Sequence, residues 1–489
     1  YEKKAIRQYR TAVALRAKQN RDAVAFLKGL DGDVPDAVLA RLRVDPSEAA
    51  AVLVAASEFK DVFAAIKELH QQRKFQAAVD RCQILRPQVQ EPAIRSALDV
   101  MLTRATWMRD FDAGKWVELT FDPKLALWKT DANQWTVKDE RTVVGKSTKT
   151  RRELKIMLRE DFGDQFEVEA VVSSKAVAER GFDRVGFSVG SVASRRSGWL
   201  FVWVSSYHKE IGTIPYATKK AMEFDGRIHP ETNKLRVQIW KDQVAAFVGD
   251  ELQFTKTVPY FNSRGDLIFG TRYWEAMEFT LSNPRIRKLN SQPPPDQDDF
   301  DATIDYFSER LEKEEPSASD YRQRGRAYLE KKQFEQSLSD FQVAEKLAPD
   351  HAKTRYLLGL HWMRTGEYRK AIDALEQATK LDPEYPPPLR ALAKILAACP
   401  DAAFRDGKKS VEIGLKAWAV GHWHSNATRA VIAMGYAESG NFDGAVKTAQ
   451  IVLDQSKSPR RHDPESLREQ YSEQLKLYQN KQPFRFSSP

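Results

Sequence analysis

Cysteine is nearly absent from this 489-residue chain: Cys82 and Cys399 are the only two, far apart and each in an apolar helical pattern. That excludes a disulfide-stapled scaffold and a multi-cysteine zinc site, and it reads as two buried free thiols. It leaves the compartment open. Equally lacking is any run near the ~18 consecutive apolar residues that a membrane-crossing helix needs, so these residues read as soluble. No Ser, His and Asp order, GxSxG elbow, phosphate-binding glycine loop, zinc spacing, helix-turn-helix signal or RNP-type motif occurs. No catalytic residue, metal set or cofactor is therefore assigned. Methionine is missing from position 1, where Tyr1 stands; we expect a processed protein or a piece of a longer one, with a lost signal peptide or anchor left open.

What is present suits two to four ordinary domains: 42% hydrophobic residues and a net charge of +9. The basic excess favours acidic partners but is modest over this length, and nucleic acid is not expected. Residues 1–112 predict an all-α domain, rich in Ala, Leu, Arg, Lys and Glu, with apolar residues at three and four spacing through Val52, Ala55, Phe59, Val62, Phe63 and Ile66. Gly32, Pro35, Pro87 and Pro92 are its helix breakers. From about Trp116 the pattern becomes short alternating runs with turns between them, which predicts an antiparallel β-sandwich over 113–290. Residues 291–315 hold a Pro- and Asp-rich linker, with prolines at 293–295, and a short helix.

After the linker the chain repeats with a period of 34: Gly325 returns as Gly359, Phe334 as Tyr368, Phe341 as Leu375, Ala344 as Ala378 and Pro349 as Pro383. This is the length of a tetratricopeptide repeat. The glycines let two antiparallel helices approach and the prolines end each second helix. Two looser units follow, Leu389–Ala417 with an insertion around Cys399–Gly407 and Ile432–Leu453, giving an α-solenoid of about four repeats over 316–455 and a helical tail over 456–489. Phe75, Ala78, Cys82 and Pro87 echo the motif in the N-terminal domain.

Cys399, Pro400, Asp401, then Arg405–Lys409, and the tail Leu475–Phe484 resemble tetratricopeptide proteins of planctomycete type, over about a hundred residues. In the β region, Gly270 and the closing run Phe279–Leu289, with Asn283, Pro284, Arg285, Ile286 and Arg287, resemble the concanavalin A-like jelly roll of laminin-G type and of 3-keto-disaccharide hydrolases. That resemblance implies carbohydrate across a concave sheet, where aromatic rings stack on sugar faces. Its candidates here are Trp199, Trp203, Tyr207, Trp240, Tyr273 and Trp274; rings filling the space between two sheets are the plain alternative.

Solenoids hold partners on the surface lined by each first helix. The residues expected there are Arg322, Arg326, Lys353, Tyr356 and Arg364, a basic set suited to an acidic peptide or a free carboxylate; a solvated helix face is the alternative. The related jelly-roll glucanases carry a Glu, Asp, Glu strand pattern that is missing here, and Glu167, Glu169, Glu275 and Glu278 read as solvated strand charges. His422 and His424 lack further ligands at zinc spacing, and His208 and His229 fall in loops. The cluster Arg141, Lys146, Lys149, Arg151, Arg152 and Lys155 reads as an exposed hairpin. The expectation is a non-catalytic scaffold that binds a protein through its repeats, with a lectin-like domain for carbohydrate. Two alternatives stay open: a glycoside-acting enzyme, and the sensing or docking portion of a larger membrane-anchored protein.

Overall fold

The computed structural model describes residues 46–486 except 123–124, 126, 131–133, 148–153, 159, 161, 177–184, 190–199, 206–209, 216–221, 225–232, 242, 250, 258–266, 272–276, 297, 314, 422–424 and 458–464, with positions 18, 21 and 22 besides. Gly32 and Pro35 lie outside these residues.

Three helices come first: α1 (Pro46–Gln71), α2 (Phe75–Leu85) and α3 (Pro92–Asp112). Arg73, with φ 56°, makes the tight turn between α1 and α2. Pro92 opens α3 at a position where its missing N–H costs nothing, and the Glu91 side chain accepts from the Ile94 amide at 2.7 Å. Phe63, Ile66, Cys82, Leu85, Ile94 and Leu98 pack together. Burial, and then Asp99, push the Cys82 thiol up to about 12, so it is an inert core group.

The lower end of α3 does not stay within that bundle. Phe111 meets Phe162 with ring centroids 5.1 Å apart, and Phe162 meets Phe166 at 6.2 Å, so the helix caps one end of the sandwich and shares its core. A buried ion cluster fixes the joint: Arg104 Nε pairs with Glu160, and His70 Nε2 lies 3.5 Å from the same carboxylate. Burial alone would raise the Glu160 pKa, but the bonds and charges of His70 and Arg104 outweigh it and hold the carboxyl below its ordinary range.

Two antiparallel sheets form the sandwich. The first runs β13 (Glu251–Thr257), β12 (Gln243–Val248), β11 (Asn233–Trp240), β6 (Gln165–Ala176), β15 (Met277–Lys288), β4 (Thr142–Ser147) and β3 (Trp135–Asp139), with β1 (Val117–Glu118) also on β15. The second runs β10 (Met222–Phe224), β9 (Glu210–Pro215), β8 (Leu200–Ser205), β7 (Val185–Val189), β14 (Leu267–Thr271), β5 (Lys155–Leu158) and β2 (Lys129–Thr130). Strand alternation sends Phe166, Val168, Ala170 and Val172 of β6 and Leu235, Val237 and Ile239 of β11 into the core. Val237 pairs Val168, and Ile239 pairs Phe166. A bulge at Asn283–Pro284, with Asn283 at φ 50°, shifts the parity of β15, so Phe279, Leu281 and Ile286 all face inward. Pro284 has no N–H to lend a ladder and sits where the ladder is already interrupted. Gly270 is obligatory for space: a Cβ there would lie 2.2 Å from the Leu154 carbonyl oxygen.

After the sandwich, α4 (Phe300–Lys313) leads into four described helix pairs: α5 (Ala318–Glu330) with α6 (Phe334–Leu347), α7 (Ala352–Arg364) with α8 (Tyr368–Leu381), α9 (Pro386–Ala398) with α10 (Gly407–Val420), and α11 (Asn426–Glu438) with α12 (Phe442–Ser456). Helix α13 (Glu465–Gln479) packs on α12 and closes the stack. A Cβ on Gly325 would lie 2.7 Å from the Phe341 ring, and one on Gly359 the same distance from Leu375, the close approach that the period requires. The insertion is a compact plug: Arg405 donates to the Cys399 and Pro400 carbonyls at 2.9 and 3.0 Å and pairs with Glu438, while the Asp406 side chain accepts from the Lys409 amide at 2.9 Å. No helix among the described residues is long and apolar enough to cross a membrane.

Candidate functional site

The first helices of the second, third and fourth pairs, α7, α9 and α11, together with α13, line a groove of about 470 Å³. Its walls are apolar, with Met363, Val431, Met434 and Leu467, and its charges are Arg364, Arg390 and Lys394. No Asp or Glu is among the described residues that line it. Arg364 Nη2 donates to both carboxylate oxygens of Glu330, at 2.8 and 2.9 Å, and its Nη1 donates to the Leu329 carbonyl at 3.0 Å, which aims the guanidinium. Lys394 is held below the usual lysine pKa by burial, and then by the nearby charges of Arg364 and Arg390. Tyr356 enters the groove with its ring 5.7 Å from Tyr385. The groove is thus a field of positive charge over apolar walls, suited to an anionic group on a chain with non-polar neighbours.

Tyr356 and Arg364 are the expected partner residues that the structure brings into this groove. Arg322 and Lys353 are corrected: both are taken by Glu251, from the sandwich. Arg322 is 5% exposed, pairs with Glu251 and donates to Thr354 Oγ1 at 3.3 Å, while Lys353 Nζ lies 2.7 Å from Glu251 Oε1. Arg326 lies half-buried in the crevice between α4 and α5, beside Pro295, Phe300 and Phe307. Sequence reasoning missed Arg390 and Lys394, although the signal was there. Extending the period by 34 takes Arg322 through Tyr356 to Arg390, and Arg326 through Leu360 to Lys394.

In the sandwich, Trp240 is also corrected. It is buried, its Nε1 donates to the Ser291 carbonyl at 3.0 Å, and it packs with Phe247, Leu289 and Phe307, so it seats the linker and α4 on the sheet. The linker folding back over Trp240 is what takes it out of the candidate sugar-stacking set. Trp203 lies in β8, paired across to Gly186 on one side and Gly212 on the other. Trp199, Tyr207, Tyr273, Trp274 and Glu275 fall outside the described residues, as do His208, His229, His422, His424, Lys149, Arg151 and Arg152. Arg141 and Lys146 pair with Glu118 and Glu278, at 2.5 and 2.8 Å.

The strand charges Glu167 and Glu169 are not solvated. They are 0% and 6% exposed, with Arg287 Nε 2.6 Å from Glu167 and Arg285 Nε 2.8 Å from Glu169, and Gln238 and Lys234 adding further contacts. Trp116 lies under both guanidinium groups, at 4.2 and 4.6 Å. The cross-strand neighbours supply the reason: register sets Arg287 and Gln238 beside Glu167, and Arg285 and Arg236 beside Glu169. Among the described residues no group of three His, Cys, Asp or Glu side chains gathers at metal-binding distance.

A tetratricopeptide-repeat family model matches residues 352–385, the α7–α8 pair that carries Tyr356 and Arg364. The C-terminal solenoid is built of tetratricopeptide repeats. No curated protein matches the chain. Among solved structures, a thermophilic tetratricopeptide-repeat protein of Thermus thermophilus is similar, at 17% identity over 36% of this chain and 89% of that one, with a TM-score of 0.30. A carbohydrate-binding module of Bacillus subtilis, CBM66, is similar at 17% identity over 33% of this chain and 96% of its own, with a TM-score of 0.26. A Bacillus licheniformis beta-glucanase is similar at 10% identity over 36% and 97%, with a TM-score of 0.28.

Proposed function

We propose that this protein is a non-catalytic scaffold whose repeats hold an acidic segment of a partner protein in the groove between α7, α9, α11 and α13. The observation that carries the reading is Lys394, a desolvated cation beside Arg390 and the Glu330-paired Arg364, over apolar walls with no lining carboxylate among the described residues. A desolvated lysine beside two arginines is relieved by an anion, and a charge-assisted hydrogen bond there is stronger than one made in water. The sandwich adds a second surface. The register of β8 sets Trp203 opposite Gly186 and Gly212, and an aromatic residue at such a position is the one we offer for stacking of a sugar. The Cys399–Lys409 plug and the tail extend the reading to a planctomycete-type member of the repeat proteins.

The test is titration of a fluorescein-labelled Glu-rich peptide into the full chain by anisotropy, beside its Gln counterpart. Lys394→Glu and Arg390→Glu should each weaken the acidic peptide at least about tenfold, the loss of one charge-assisted contact, and leave the Gln peptide unaffected. Equal binding of the two peptides, or indifference to both substitutions, would overturn the reading.

A further inference from the structure

After α13 the chain turns back along one edge of the groove. Arg485 donates to the Ala397 carbonyl at 3.3 Å and pairs with Glu438 at 2.5 Å, and the Phe486 amide donates to the Ala398 carbonyl at 3.1 Å. The half-buried Phe486 ring lies 6.0 Å from Tyr368, with its centroid 5.7 Å from Lys394 Nζ, and it forms part of the groove wall. Two groups facing the same space are left short. No carboxylate among the described residues pairs with Lys394, and Gln474, 2% exposed, has no hydrogen-bond partner for its Nε2. A buried donor without an acceptor is costly, so the groove holds a ring but lacks an anion and an acceptor.

We propose that Pro483–Phe486 is a resident strap that competes with the partner, and that the groove accepts a segment with an aromatic residue next to an acidic one. The partner's ring takes the place of Phe486, its carboxylate meets Lys394, and its backbone carbonyl accepts from Gln474. This rests on the peptide-binding reading of the groove. The strap's polar hold on α9 is two bonds to carbonyls at the helix end, which water can also satisfy, beside one partly exposed ion pair; Phe484 and Phe486 add packing on neighbouring apolar clusters, which the partner's ring must replace. A ring over Lys394 is also a weaker partner than a carboxylate, so a ligand that brings both gains on exchange.

The probe is fluorescein-labelled Gly-Ser-Glu-Phe-Glu, with versions carrying Ala for Phe or Gln for Glu, titrated into the full chain and into Phe486→Ala, Arg485→Ala and Lys394→Glu. A strap that closes the groove about four-fifths of the time scales apparent affinity down to the fraction open, so Phe486→Ala and Arg485→Ala should bind the probe about fivefold tighter or more. In the unaltered protein, hydrogen exchange at the Phe486 amide should speed up on adding the probe, a readout that does not depend on any variant folding. If Lys394→Glu abolishes binding while Phe486→Ala binds no tighter and the amide exchange is unchanged or slower, the strap is refuted and the groove reading stands. Binding that ignores Lys394, or no binding to any form, overturns both.

Discussion

Glu251 on strand β13 of the sandwich is clasped by Arg322 of the first repeat, and Lys353 of the second reaches the same carboxylate at 2.7 Å. Beside it, Gln323 Nε2 donates to the Leu252 carbonyl at 3.0 Å. Cations that sequence reasoning offers to an external acid therefore hold an internal one, and the sandwich closes the groove at the first repeat. The remaining length, from α7 to α13, is what a partner can use. Trp240 seals the same seam from the sheet side, so the proline-rich stretch is packed against both parts, with Pro294 buried.

Breaking this clasp should be costly. Glu251→Ala strands Arg322, 5% exposed, without a counter-charge, and removing one partner of a buried ion pair costs about 3–5 kcal/mol. Urea unfolding monitored by tryptophan fluorescence should show an early transition assigned to the seam, with the broad-specificity protease proteinase K cutting within residues 291–299. An unchanged midpoint and proteolytic pattern would show the clasp to be dispensable.

The same carboxylate sets an acid limit. Burial raises the Glu251 pKa, but Lys353 and Arg322 outweigh it and take it down to about 2 from an ordinary 4.5. A folded pKa below the unfolded one means that the unfolded state binds the proton more readily, so this stabilisation is complete above about 4.5 and is lost as pH falls toward 2. Glu251→Gln should therefore flatten the acid limb of stability between those values. A Gln variant with the same acid limb as the parent would rule this out.

The repeats should be intolerant at two glycines. Gly325→Ala and Gly359→Ala each set a methyl group 2.7 Å from Phe341 or Leu375, below any normal carbon contact, and overpacking of this kind costs about 1–3 kcal/mol. Gly440→Ala tests the other use of glycine: it has open space but φ 82°, so strain rather than collision should destabilise it. Thermal unfolding separates the cases, because shrinking Leu375 to Val should relieve Gly359→Ala and leave Gly440→Ala unaffected.

How much of this was legible in the sequence differs by element. The 34-residue period exposes the solenoid because each unit repeats the same contacts locally, and Gly325 with Phe341 is such a contact. Strand alternation likewise places Phe166, Val168 and Val237 in the core. Sequence spacing cannot show what meets across long separations: Glu251 with Arg322, Glu167 with Arg287, and Trp240 with Ser291 are joined by register and docking alone. Alternation correctly put Glu167 on the outer face of its sheet, but outward meant ion-paired beneath Arg287 and Arg236 rather than solvated. Lys394 is legible from the period, two steps of 34 beyond Arg326.

His361 offers a second pH handle, of a different kind. It sits in α7 with its ring 6.0 Å from Phe334 and 4.8 Å from Trp362, is 2% exposed, and its Nδ1 has no hydrogen-bond partner among the described residues. Burial lowers its pKa, outweighing the opposite pull of Glu367. The folded state thus resists a proton that the unfolded state accepts, so stability should fall as pH drops through the ordinary histidine value of 6.5 and below. His361→Leu removes both the proton site and an unsatisfied buried nitrogen. It should hold the urea midpoint constant between pH 7.5 and 5.5, where the parent declines. An equal decline in both proteins would move the acid sensitivity to another group.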